Sequence, residues 1–229
     1  MEIYHKHSWN VSLEEAKRIQ LQLKNKLTFH HKIDLSQIQI VAAADISYNR
    51  NDDQLYAAVV LVAFPDLILI DVYSNQAKAS FPYIPGFLSF REIPPLLDIF
   101  KDLSLKPDIL ICDGQGIAHP RGFGLASHLG IILDLPAIGC AKSVLVGKYL
   151  EPSAARGSSS PLMYQDRQVG AVVRTRNGVR PVFVSVGHKL GLREAIKIVF
   201  QCSRKYRIPE PLRLAHHKVN EMRKLSTLK

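Results

Sequence analysis

Residues 109–113 read ILICD, four apolar residues in succession closed by an acid. A strand with one wet face alternates apolar and polar residues, and this run does not. Such a segment belongs in the centre of a sheet covered on both sides. Gly-Gln-Gly at 114–116 breaks it. A helical stretch follows at Gly124–Leu133, then a second short apolar run at Ala137–Ala141. Strand, helix and strand with both strands buried predict a crossover unit and a mostly covered sheet.

Upstream, Ile38–Tyr48, Leu55–Phe64 and Leu67–Tyr73 read as three strands joined by short connections, with Pro65-Asp66 in the second turn. Short links between strands imply antiparallel hairpins. Ser12–Leu27 predicts a helix: Ser12 and Glu15 have capping-box spacing, and Leu13, Ala16, Ile19 (or Gln20), Leu23 and Leu27 recur at helical period. A helix ending near Leu103 starts at either Phe87 or Pro94, since prolines fit a first helical turn. Leu162–Thr175 and Gly178–Val186 read as strands around an Asn177-Gly178 turn, followed by helices at Leu192–Tyr206 and Pro211–Leu225. The expectation is an α/β fold: a mixed five-stranded sheet flanked by helices, with a small β insertion, in a single domain over residues 1–229. Ser153–Pro161 reads as an exposed loop within it.

Thirty Lys+Arg against 20 Asp+Glu give a net charge of +10. An excess of this size favours a polyanionic partner, nucleic acid before an anionic membrane. Cys112, Cys140 and Cys202 are far apart and form no CxxC pair, so they read as buried thiols in a reducing compartment rather than a zinc site. The opening MEIYHKHSWNVSLEE has no apolar core of a signal peptide. No apolar run approaches membrane-spanning length. A cytoplasmic protein with no membrane partner is expected.

Three acids occupy costly positions. Asp45 lies inside VAAADISY, Asp113 ends ILICD, and Glu92 closes FLSFRE. A charge at a sheet centre is expensive unless it is paired or holds a cation. Taken singly, each acid is as well explained as a cap, a turn former or half of an ion pair, and Asp71 in LILIDVY reads as a solvent-facing strand acid. Their order differs from chance: an acid within the first strand, one on the first crossover element, one ending the fourth strand, and a further ligand type near the C-terminus. That order matches a ribonuclease H-like arrangement. Converging carboxylates call for a hard divalent cation, Mg²⁺ with Mn²⁺ able to substitute, and such a centre beside a basic surface points to phosphodiester hydrolysis.

The segment SFPYIPGFLSFREIPP (80–95) mixes prolines with aromatics beside Glu92. It suits a stiff loop with a task, or a loop that packs on the core.

Six segments, VAAADISY, PYIPGFLSFREIPPLL, DILICDGQGIAHPRGFGLASHLG, PAIGCAKSVL, VGHKLGLREAI and RIPEPLRLAH, together closely resemble the endonuclease V family of deoxyinosine-directed nucleases, from about Ile40 to Met222. The resemblance implies that Asp45, Glu92 and Asp113 hold the metal, with His216 reaching it through water or taking a proton from the attacking water. His217, about 100° away on a helix, is expected at the surface. Pro82-Tyr83-Ile84-Pro85 becomes a stiff wedge that parts stacked bases. Gly86, Gly114, Gly116 and Leu145 border a pocket whose backbone groups read the O6 acceptor and N1–H donor of hypoxanthine. His119 and Lys142 fall near the scissile phosphate, Lys142 stabilising developing charge. Three basic groups, Arg174/Arg176/Arg180, Arg204/Lys205/Arg207 and Lys218/Arg223/Lys224, are phosphate contacts or plain solvated charges.

The implied activity is metal-dependent hydrolysis of the second phosphodiester 3′ to a deaminated base, chiefly inosine, in DNA, by a monomer. An inosine-RNA-directed ribonuclease, a junction-cutting nuclease and a non-catalytic inosine-binding module are the alternatives.

Overall fold

The computed structural model describes residues 1–29, 33–49 and 52–226. Its strands are β1 (Ile40–Tyr48), β2 (Gln54–Ala63), β3 (Leu69–Lys78), β4 (Ile109–Cys112), β5 (Ala137–Ala141), β6 (Ser159–Tyr164), β7 (Arg167–Val173) and β8 (Val182–His188). They form one sheet in the order β3-β2-β1-β4-β5-β8-β7-β6. The helices are α1 (Leu13–Lys24), α2 (Leu88–Asp102), α3 (Leu125–Leu133), α4 (Leu192–Gln201) and α5 (Glu210–Ser226).

The expected mixed sheet with flanking helices is present, and it is larger than five strands. β5 pairs antiparallel with β8, and β8 with β7, so the expected insertion continues the main sheet. The single strand expected over Leu162–Thr175 is two. Gln165 and Asp166 take left-handed backbone with φ 49° and 58°, making a tight hairpin turn without the glycine that would mark it. β6 also claims Ser159–Pro161 from the expected loop. Asn177-Gly178 does turn, with Gly178 at φ 68°, but β8 begins only at Val182.

α1 starts as its sequence predicts, Ser12 Oγ accepting the Glu15 amide at 3.2 Å. α2 starts at Leu88, so Pro94 and Pro95 lie inside it and deprive earlier carbonyls of their amide partners. β3 is an edge strand, and Asp71 on it is exposed.

Strand alternation sorts the core. Val41, Ala43, Ile109 and Ile111 pack with Ile198, Leu212 and Ala215 under α4 and α5. Ala42, Ala44, Leu110 and Cys112 pack with Leu96, Phe100 and Leu129 under α2 and α3. Both faces of β1 and β4 are thereby buried, as the unbroken apolar runs require.

Candidate metal centre and base cavity

β1 and β4 run parallel, with Ala44 beside Cys112. The next residue on each is an aspartate, and the Asp113 amide donates to the Ala44 carbonyl at 3.1 Å. By alternation Asp45 shares the face of Ala43, and Asp113 that of Ile111. That face lies under α5, which brings His216 with it. His216 Nδ1 is 2.8 Å from Asp45 Oδ2. One ligand-type atom from each of Asp45, Asp113 and His216 lies within 4.8 Å of the others.

Glu92 arrives from α2, on the opposite face, and its oxygens fall outside that tight group. It still feels the group. Burial, then Asp45, then Asp113 push its pKa up to about 8, while the Tyr48 hydroxyl donates to Oε1 at 3.5 Å. Asp113 is raised as well, by burial and by Asp45, against the pull of Lys142. Lys142 Nζ donates to Asp113 Oδ2. Three acids aimed at one region, with Lys142, His216 and Arg91 as counterweights, are what a cation relieves. Oxygen donors with one imidazole fit a divalent ion.

Beside this cluster lies a cavity of about 380 Å³ whose wall includes Glu92, Asp113 and Lys142 on one side and Tyr83, Pro85 and Gly86 on another. Its volume is that of a small-ligand site. Tyr83 is 57% exposed. Its neighbour Ile84 turns inward against Phe81 and Phe90, so a wedge at this loop is Tyr83 between exposed Pro82 and Pro85.

A family model described as Endonuclease V matches residues 21–217. The endonuclease V of Nostoc sp. (strain PCC 7120) is 47% identical over 215 residues, 94% of this chain and 97% of its own. The chain belongs to the endonuclease V family. The crystal structure of endonuclease V from Streptomyces avermitilis superposes with a TM-score of 0.91 at 39% identity, over 96% of both chains. That of Ciona intestinalis endonuclease V, in complex with a 24mer DNA containing an inosine followed by a ribo-adenosine, has a TM-score of 0.81 at 27% identity, over 95% of this chain and 99% of its own.

Within this endonuclease V fold the other expected residues divide. Gly114 and Leu145 line the cavity with Gly86. Gly116 lies behind it: its amide donates to Ser185 Oγ at 2.9 Å, and a Cβ there would come within 2.0 Å of the Val186 carbonyl oxygen. His119 reaches the cavity wall with both ring nitrogens engaged. Nε2 donates to the Gly86 carbonyl at 3.1 Å and Nδ1 accepts the Arg121 amide at 3.3 Å. Burial, helped by the Arg121 charge, pushes its pKa down to about 4, so the ring is neutral and oriented by backbone.

Arg174 is buried, spent on Glu151 and on the carbonyls of Pro152 and Ser153. Arg207 holds the carbonyls of Lys142, Arg180 and Pro181, and Arg223 that of Tyr48. Arg176, Arg180 and Lys205 are exposed, as is His217. Tyr48, Asn220 and Gln20 were not singled out by sequence. Tyr48 meets Glu92 only in the folded chain, Asn220 donates to the His216 carbonyl one turn back along α5 at 2.8 Å, and Gln20 gave a single faint signal, a polar residue at a core position of α1.

Proposed function

We propose that this chain is a divalent-metal-dependent endonuclease that engages inosine in DNA and hydrolyses the second phosphodiester on its 3′ side, leaving a 3′-hydroxyl and a 5′-phosphate. The observation that carries the reading is the meeting of Asp45, Asp113 and His216 within 4.8 Å, next to a cavity with Tyr83 at its wall. Family membership and the inosine-containing DNA held by the Ciona relative support the same substrate.

Tyr83 presents its ring where a base step can stack on it or be parted by it. An extruded base fits between Gly86 and Gly114, where bare backbone amides and carbonyls can approach its edge. Asp45 and Asp113, with Glu92 and His216 in support, would hold Mg²⁺ or, in its place, Mn²⁺. A bound ion would polarise the phosphodiester and acidify an attacking water. His216, oriented through Nδ1 on Asp45, keeps Nε2 for a ligand or for that water's proton. Lys142, its side chain 40% exposed, reaches from Asp113 toward a strand laid over the carboxylates and stabilises charge on a phosphate oxygen.

A second reading, an inosine-directed ribonuclease, is favoured by one detail: the DNA in the Ciona complex carries a ribo-adenosine after the inosine. The proposal further takes residues 1–229 as one domain acting as a monomer. It places the protein in the cytoplasm, which suits three buried thiols that form no disulfide. Among the described residues no helix is long and apolar enough to cross a membrane.

The test is an end-labelled duplex with one inosine, its adenine-matched twin, and the inosine RNA equivalent, each with Mg²⁺ or with chelator. One Mg²⁺-dependent nick 3′ to inosine and an intact adenine control are expected. Equal cutting of both duplexes, or release of the free base, would overturn the reading. Faster cutting of the RNA would move it to the second.

A further inference from the structure

Gln20 sits on the apolar face of α1 among Ala16, Ile19 and Leu23 and is 1% exposed. A side-chain amide in such a place is costly unless both of its ends are hydrogen-bonded. Both are. Nε2 donates to the Gly86 carbonyl at 3.0 Å, and Oε1 accepts from Arg121 Nε at 2.5 Å. Arg121 Nη2 donates to the same Gly86 carbonyl, and His119 Nε2 donates to it as well. One carbonyl thus takes three donors, from α1 and from the loop that follows β4. The Arg121 guanidinium lies 4.0 Å from the centre of the Phe87 ring, which fixes its plane. Gly86 has φ 82°, and a Cβ there would come within 2.9 Å of Arg121 Nη2.

Gly86 closes the loop that carries Tyr83 and also lines the cavity. Just after it, the Phe87 amide donates back to the Ile84 carbonyl at 2.9 Å. Turning the Gly86–Phe87 peptide would swing the loop, and that turn breaks the three hydrogen bonds to the carbonyl together with the one the Phe87 amide makes.

We propose that Gln20 and Arg121 are positioning residues that clamp the Gly86 carbonyl, so that Tyr83 stands preset at the cavity mouth before a strand arrives. A preset loop loses no ordering entropy on binding, and the gain falls on affinity for the lesion rather than on the chemical step. What Tyr83 meets rests on the proposed function. The clamp itself does not.

The experiment uses the full chain with Gln20→Met, which keeps length and removes both polar ends, and Arg121→Lys, which keeps charge and removes the planar fork. Hydrogen exchange of the DNA-free protein is followed over residues 82–88. Single-turnover cutting of an inosine strand is measured across enzyme concentrations to separate half-saturation from limiting rate. Faster exchange confined to that segment is expected, with half-saturation raised about three- to tenfold per variant and the limiting rate held within about twofold. The double variant should lose less than the product of the two, because the residues share one network. Unchanged exchange in both variants would overturn the clamp. Faster exchange with unchanged half-saturation, or a loss confined to the limiting rate, would overturn the positioning role. If Gln20→Met does not fold, Arg121→Lys decides. A wild-type chain that leaves inosine strands whole overturns the functional reading instead, and the exchange arm still judges the clamp.

Discussion

Asp45 and His216 are 171 residues apart in the chain, and Oδ2 of one lies 2.8 Å from Nδ1 of the other. The contact joins the middle of the sheet to the C-terminal helix. Two small residues, Ala43 of β1 and Ala215 of α5, pack in the same cluster there and let the helix settle close to the strand. The candidate centre depends on that approach, and so do the expectations below.

Asp45→Asn and Asp113→Ala should each lower the rate of Mg²⁺-dependent nicking at least about 100-fold. Binding of an inosine strand should survive, because the Tyr83, Pro85 and Gly86 side of the cavity and the exposed basic residues are untouched. Nicking rates beside gel-shift affinities check this, and full cutting by either variant would remove these residues from the centre.

Tyr83→Ala should weaken binding of an inosine strand about tenfold or more, the scale of one lost stacking contact. The side chain is 57% exposed, so stability should stay within about 0.5 kcal/mol of wild type. Fluorescence titration and urea unfolding read the two effects separately. Unchanged affinity would make the loop a mere covering.

Gly116→Ala should destabilise the fold by about 3 kcal/mol or more, since the new methyl meets backbone at Val186 that cannot yield as a side chain would. Chemical denaturation gives the value. A change under about 1 kcal/mol would show that the loop after β4 shifts freely there.

Two buried histidines should each weaken the fold as pH falls. His119 titrates at about 4 and His128 well below its ordinary value, both chiefly through burial. Below about pH 6.5 the unfolded chain takes up protons that these folded rings refuse, so this stability is complete above that pH and is lost as pH falls. His119 alone accounts for about 2 kcal/mol between pH 7 and pH 5. Glu92, pushed up to about 8, binds its proton more readily in the folded chain and opposes that loss over the same range. The measurement is therefore the urea midpoint of His119→Gln relative to wild type, which should rise as pH falls from 7 to 5. A difference that does not change with pH would contradict the assignment.

The central strands were legible because burial on both faces forces an unbroken apolar run, and ILIC and VAAA admit few other readings. The acids were legible as misfits within those runs. Four things were not. The Gln165-Asp166 turn adopts left-handed backbone without glycine or asparagine, so one strand was read where two exist. The antiparallel pairing of β5 with β8 leaves no local signature, so the insertion looked separate. Glu92 resembled the other acids in sequence, yet it approaches from the opposite face of the sheet and stands outside the tightest group. The clamp on Gly86 could not be read at all, since its donors come from residues 20, 119 and 121 and meet only in the folded chain.

The most direct measurement is anomalous diffraction from crystals soaked in Mn²⁺, for the wild type and for Asp113→Ala. The account predicts a peak touching the carboxylates of both Asp45 and Asp113 in the wild type, and its loss in the variant. A wild-type map with no peak between those two side chains, or an equal peak in Asp113→Ala, would contradict it.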